Sequence, residues 1–426
     1  MKLQSPTQLL AVCALMLSPL GFAHDYVFAQ QTQQTQKVER SKTTEPAQTP
    51  EVSPVKESSY AKGLGHYSQG QPQEALNEFN QALKDDPKSA VAYVGRGLTY
   101  LAFGNKESAL KDFNRALIIN PNLAEAYANR GLVHADMGDK KAALEDYTQS
   151  LNINPKSVLA YANRGLVRAD LNDQKGAIED YSQALSLDPK DVFSYHHRGQ
   201  ARAKAGDKKE ALEDYNQAIS LDPQDALIYQ SKAKAHYDLG DKKAAIEDYT
   251  QAINIAPKSD NAYVNRANIY FELGDQKAAL KDYDEASKLN PQSAIAYHNR
   301  AIVRARLGDR KAAIADYDQA LTINPKYADA YVSRGIARAG LGDFRGAFDD
   351  YQVALNLTPE NATIYANRGD ALLGLGDKNK ALEDYQKAAS LFNLKGDTER
   401  SQKLLSTIQK LQPAPTSKKS SPKVTP

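Results

Sequence analysis

The side chains able to do chemistry are few, and their spacing argues against a reaction. Seven histidines occur in 426 residues. His196 and His197 are adjacent, so on a helix they point apart, and no second ligand stands four residues from either. His66, His134 and His236 recur at multiples of a 34-residue unit, as do His196 and His298, so each falls in a separate unit and nothing pairs within reach. Cys13, the single cysteine, lies near the N-terminus, which excludes an intramolecular disulfide and a CxxC redox motif. There is no GxSxG, HExxH or phosphate-loop sequence. The reading is a protein that is not an enzyme, with no catalytic residue, no metal and no cofactor.

One ionic pattern is regular. Arg96, Arg130, Arg164, Arg198, Arg266, Arg300, Arg334 and Arg368 each precede an aspartate by 16 residues, as in Arg130 and Asp146, Arg164 and Asp180, Arg198 and Asp214, and Arg300 and Asp316. A bare arginine stripe would suit phosphate. A matched acid favours structural ion pairs instead, because a partly buried charge needs a partner and guanidinium holds carboxylate with two parallel bonds.

These residues sit inside a repeat. Prolines fall at 87, 121, 155, 189, 223, 257, 291, 325 and 359, always 34 apart. With proline at position 32, ten units run from 56 to 395. Position 4 is tyrosine in nine of them, and position 8 is Gly or Ala, sharing one face of a first helix. Position 20 is alanine in all ten and position 24 aromatic in all ten, which marks a second helix. Between the helices stands Gly-Asp, as in Gly138-Asp139: glycine accepts the left-handed backbone that ends one helix, and aspartate caps the next. Pro-x-Ser or Pro-x-Asp stops the second helix and caps the following first one. After residue 395, Leu404, Ile408 and Leu411 predict an amphipathic capping helix within 396–412.

Period, small residues and aromatics together resemble the tetratricopeptide repeat family over 340 of 426 residues. That resemblance implies an all-α fold, ten helix-turn-helix repeats in a right-handed superhelical solenoid with a concave groove lined by first helices. Family members mostly bind peptides or helices of other proteins. By family position, the groove residues would be Val91, Val94, Leu98, Leu159, Leu166, His196, Gln200, Gln230, Lys234, Ile295, His298 and Ile302. These are largely apolar, which would favour an amphipathic helix or an extended apolar peptide. The Lys and Asn clamp with which some members hold acidic tails does not occur here, since Lys at position 5 never accompanies Asn at position 9.

The two ends differ from the repeats. Residues 1–29 carry Lys2 and an apolar stretch from Leu9 to Ala23, and read as an export signal whose unbroken run is too short to span a bilayer permanently. Residues 30–55 read as a disordered Gln/Thr/Pro linker, and 413–426 as a disordered basic tail. Export predicts a periplasmic, extracellular or envelope location. The net charge is +2, from 54 basic and 52 acidic residues, so no nucleic acid partner is expected. The function expected is a scaffold or adaptor whose groove holds a protein partner, with a self-associating structural protein of the cell envelope as the alternative.

Overall fold

The computed structural model describes residues 58–412. The expected signal, linker and basic tail lie outside the described residues. Those described form an all-α chain divided into two compact bodies at Leu239 and Gly240. The first body holds α1 Ser59–Ser68, α2 Pro72–Asp85, α3 Ala90–Ala102, α4 Lys106–Ile119, α5 Ala124–Asp136, α6 Lys140–Ile153, α7 Val158–Asp170, α8 Gln174–Leu187, α9 Val192–Ala205, α10 Lys208–Leu221 and α11 Ala226–Asp238. The second holds α12 Lys242–Ile255, α13 Asp260–Glu272, α14 Gln276–Leu289, α15 Ala294–Arg306, α16 Arg310–Ile323, α17 Ala328–Ala339, α18 Phe344–Leu357, α19 Ala362–Gly374, α20 Lys378–Leu394 and α21 Thr398–Leu411. Odd-numbered helices up to α19 are the first helices of their repeats, and even-numbered ones the second.

Local chemistry ends each helix. Gly138 takes φ 85° after α5, and Asp139 Oδ1 accepts from the Ala142 amide at 3.0 Å to start α6. In the fourth repeat Asn172 takes the same left-handed turn with φ 65°, which asparagine tolerates better than other residues with a Cβ. Before most first helices, position 31 closes an Asx turn: Asn154 Oδ1 accepts from the Lys156 amide at 3.1 Å, and Ser157 Oγ then caps α7 through the Ala160 amide at 3.2 Å.

Packing follows the repeat. All ten position-20 alanines, from Ala75 to Ala381, have 0% exposure, and the position-24 rings from Phe79 to Tyr385 are buried against them. The ring of position 24 lies across position 8 of its own first helix. A Cβ built on Gly199 would stand 2.7 Å from Tyr215 Cε1, and one on Gly131 3.2 Å from Tyr147 Cδ1 and Cε1. Within each body, a second helix packs between the first helix of its own repeat and that of the next, so every aromatic seam continues into its neighbour. At the end of the second body, Ile408 of α21 is buried with Leu372, Ala381 and Tyr385, and Ser401 Oγ donates to the Ala389 carbonyl at 2.9 Å.

The arginines join a ladder. Arg130 Nη2 lies 2.6 Å from Asp146 Oδ1, Arg164 Nη2 2.7 Å from Asp180 Oδ1, Arg198 Nη2 2.7 Å from Asp214 Oδ1 and Arg300 Nη2 2.6 Å from Asp316 Oδ1. Nε of each bonds the same carboxylate, giving the two-pronged geometry. Nη1 reaches back to position 25 of the preceding repeat: Asn114 for Arg130, Thr148 for Arg164, Ser182 for Arg198 and Asp284 for Arg300. The guanidinium also covers the position-4 tyrosine, as Arg130 does Tyr127 with 5.4 Å to the ring centre. Arg96, Arg266, Arg334 and Arg368 repeat these contacts.

Where position 11 is arginine, a second cation shares the carboxylate. Arg168 binds Asp180 at 3.0 Å, Arg202 binds Asp214 at 2.8 Å, Arg304 binds Asp316 at 2.8 Å and Arg338 binds Asp350 at 3.0 Å. In the third repeat His134 Nδ1 stands 3.0 Å from Asp146 Oδ2. In the seventh repeat Tyr270 takes that position, and Asp282 is neutralised by Arg266.

Two outcomes are expected in urea and thermal unfolding. Gly131→Leu overpacks the ring of Tyr147 and destabilises by about 1–3 kcal/mol. Arg266→Leu strands the buried Asp282 and costs about 3–5 kcal/mol, whereas Arg164→Leu costs clearly less because Arg168 still holds Asp180. Equal losses for the two arginine variants would contradict this division of the charge.

Candidate functional site

A first helix in the interior of either body has four neighbours: the second helices of its own and the preceding repeat, and the first helices on either side. One face is left over. The residues on it are those of positions 2 and 9, seven apart and therefore on one side of the helix.

In the first body that face carries Val91 and Leu227, 43% and 45% exposed, with Leu98, Leu159 and Leu166 half-buried beside them. Lys234 is exposed and pairs loosely with Asp238 at 3.9 Å. In the second body the face carries Ile295 and Ile336, 56% and 54% exposed, with Ile302 half-buried.

Position 5 lies beside this face, towards the next repeat, and burial there corrects the expectation for two of the four residues named at it. Val94 is buried with Ala109 and Phe113, and His298 is buried against its neighbours in the next repeat. His298 Nδ1 lies 3.2 Å from Tyr327 Oη, and Nε2 lies 3.4 Å from Ser333 Oγ. The reason is geometric. Position 5 points along the seam where one first helix meets the next, so its side chain is covered by position 6 of the following repeat. Gln230, at the same position, is half-buried.

The fifth repeat places histidines at both seam positions. His196 Nε2 lies 2.9 Å from Ser231 Oγ on α11, and the Gln200 amide Nε2 lies 3.1 Å from that same ring nitrogen and 3.3 Å from Ser231 Oγ. Gln200 Oε1 stands 3.1 Å from His197 Nδ1. The two imidazoles are 5.2 Å apart, with His197 also 4.1 Å from the Phe193 ring and 6.1 Å from Tyr181. Burial lowers His196 to about 3, helped by the neighbouring His197. Burial lowers His197 to about 4, against the attraction of Asp170.

Sequence reasoning missed three features: the position-25 partners, the shared use of position 11, and this amide-bridged histidine pair. The first two carried a signal, since polar residues recur at position 25 and basic ones at position 11. The pair did not, because Ser231 and Gln200 are unremarkable surface-type residues in the sequence. Among the described residues no group of three His, Cys, Asp or Glu side chains is arranged to hold a metal ion, and no helix is long and apolar enough to cross a membrane.

Comparison with known proteins agrees with the helix pairing. Families described as tetratricopeptide repeat match residues 60–124, 124–157 and 362–393, and one described as TPR repeat matches 167–206, 199–240, 233–274, 267–308 and 306–342. No curated protein matches the chain. Similar solved structures include a tetratricopeptide repeat protein from Parabacteroides merdae, at 20% identity over 57% of this chain and 97% of that one, with a TM-score of 0.45. MamA is similar at 24% identity over 41% and 95%, with a TM-score of 0.38. YrrB, a TPR protein with an unusual peptide-binding site, is similar at 20% identity over 44% and 96%, with a TM-score of 0.37. Repeat after repeat, from the glycine turns to the alanine and aromatic seam, this chain belongs to the tetratricopeptide repeat family.

Proposed function

We propose that the chain is a non-enzymatic scaffold whose first-helix faces bind an apolar segment, a peptide or an amphipathic helix, of a partner protein. The observation that carries this reading is the exposed aliphatic side chain at position 2 or 9 in separate repeats: Val91 and Leu227 in the first body, Ile295 and Ile336 in the second, the first three at position 2 and Ile336 at position 9. None of these four is needed by the seams beneath, and apolar side chains left on a stacked helical face are the means by which helical grooves recognise apolar ligands. The ionic side chains support the same reading by default. The arginines that could have gripped an anionic ligand are spent on Asp146, Asp180, Asp214 and Asp316.

Export to a compartment outside the cytoplasm is part of this proposal. It draws on Lys2, the apolar stretch Leu9–Ala23 and the lack of any cysteine after Cys13, so that a chain cleaved beyond that residue carries no thiol.

A second reading, self-association, is favoured by a different row. The residue ending the first helix at position 14 is apolar and exposed in four successive repeats of the second body: Leu273, Leu307, Leu341 and Leu375, between 44% and 55%. Light scattering across concentration separates the two readings, since a scaffold stays monomeric and a structural assembler grows.

Crosslinking in the native compartment, followed by identification of the attached chain, tests the first reading. Val91→Asp with Leu227→Asp, or Ile295→Asp with Ile336→Asp, is expected to reduce capture at least about tenfold while leaving the unfolding midpoint within ~0.5 kcal/mol, because exposed positions tolerate polar substitution. Capture that persists in both double variants rejects these faces as the binding surface.

A further inference from the structure

The amide of Gln200 sits between two imidazoles, and its two ends are chemically opposite. Its oxygen only accepts and its nitrogen only donates. With Oε1 at 3.1 Å from His197 Nδ1, that ring nitrogen must carry a proton. With Nε2 at 3.1 Å from His196 Nε2, that one must be bare. Turning the amide over exchanges the two roles but still requires one bare nitrogen. The network therefore closes only when at least one imidazole is neutral. A proton on both rings sets donor against donor somewhere along the chain of contacts.

Only Asp170 works against that conflict, and Lys204 opposes it. The titratable and charged groups facing the pair are Asp170 on α7, Tyr181 on α8, Lys204 on α9 itself and Tyr215 on α10. From α11 comes Ser231. Asp170 favours a charged His197 and Lys204 opposes it, while the aromatic rings offer no counter-charge. No carboxylate stands against His196, whereas His134, at position 11 in the third repeat, rests directly on Asp146. The two bases are also within 5.2 Å of each other, so charging one raises the cost of charging the other.

We propose that His196 and His197, joined through Gln200 to Ser231, form an acid-sensitive latch between the fifth and sixth repeats, which opens this stretch of the first-helix face when the medium is acidified. At neutral pH the latch is closed: four polar groups satisfy one another at the seam between α9 and α11. On acidification the unfolded chain, with ordinary imidazoles, takes up protons that the closed seam refuses. The stability supplied by the closed state is whole above the ordinary imidazole range and is lost as pH falls below it. His196 and Gln200 lie at the edge of the proposed binding face, so opening would also disturb a bound partner; that consequence rests on the scaffold reading, and the latch itself does not.

Hydrogen exchange on the mature chain without any partner tests the latch directly. Between pH 7.5 and 4.5, protection of the amides in 192–238 is expected to fall at least about tenfold after correction for intrinsic rates, one unit of imidazole shift being a factor of ten. The control is His196→Ala with His197→Asn, which installs the residues that the fourth repeat holds at the same positions, Ala162 and Asn163. In this variant the acid loss of protection is expected to shrink to less than about threefold. Equal losses in the two proteins would overturn the latch. So would ring resonances of His196 and His197 that titrate at the ordinary imidazole value in the intact protein, a measurement that needs no variant. Partner capture at pH 7.5 tests the binding face separately, so failure there leaves the exchange result standing.

Discussion

A carboxylate buried every 34 residues is the constraint on which this structure depends. Asp146, Asp180, Asp214, Asp282, Asp316 and Asp350 are all buried, and a buried charge without a partner costs several kcal/mol. The arginine of the first helix answers it with two parallel bonds. Having done so, the same guanidinium still has an Nη1 donor, and the only direction left is towards the preceding repeat. Neutralising one helix hairpin thus ties it to the one before. The alanine and aromatic seam supplies most of the burial, but apolar surfaces slide. A guanidinium fixed at both ends and lying over Tyr127 or its equivalents does not, so the ladder sets the register in which the seams meet.

That arrangement decides which side chains the first helices leave uncovered. The position-7 and position-11 arginines, which would otherwise make an inviting anion stripe, are turned inward onto carboxylates. Position 5 is taken by the seam between adjacent first helices, and positions 8, 20 and 24 by the crossing inside each hairpin. What the packing leaves uncovered is a narrow selection, positions 2 and 9, where the residues are aliphatic in some repeats and polar in others. Variation is tolerated there because no neighbour constrains it. By the same logic the fifth repeat could place histidine at positions 5 and 6 only because Gln200 and Ser231 complete their hydrogen bonds.

Much of this was legible without coordinates. The spacing of the prolines, the glycine and aspartate between helices, and the alanine and aromatic positions are local rules. Each acts over a few residues and leaves a direct mark on the sequence. The pairing of Arg164 with Asp180 could be anticipated as well, since both recur at fixed positions of one hairpin. What could not be read was anything that depends on the contact between one repeat and the next. Val94 and His298 look like groove residues on a helical wheel, and became seam residues once the next first helix was laid against them. Thr148 and Ser182 look like solvent-facing fillers until the following arginine reaches back to them.

The amino-acid order alone determined the all-α hairpin and its 34-residue length, because turn chemistry and helix periodicity are properties of short stretches of chain. Tertiary packing alone decided which face stayed open, which cations were consumed and which imidazoles were buried together. Those outcomes depend on the distance between side chains from different repeats, and no spacing along the chain encodes a distance that exists only after the hairpins have stacked.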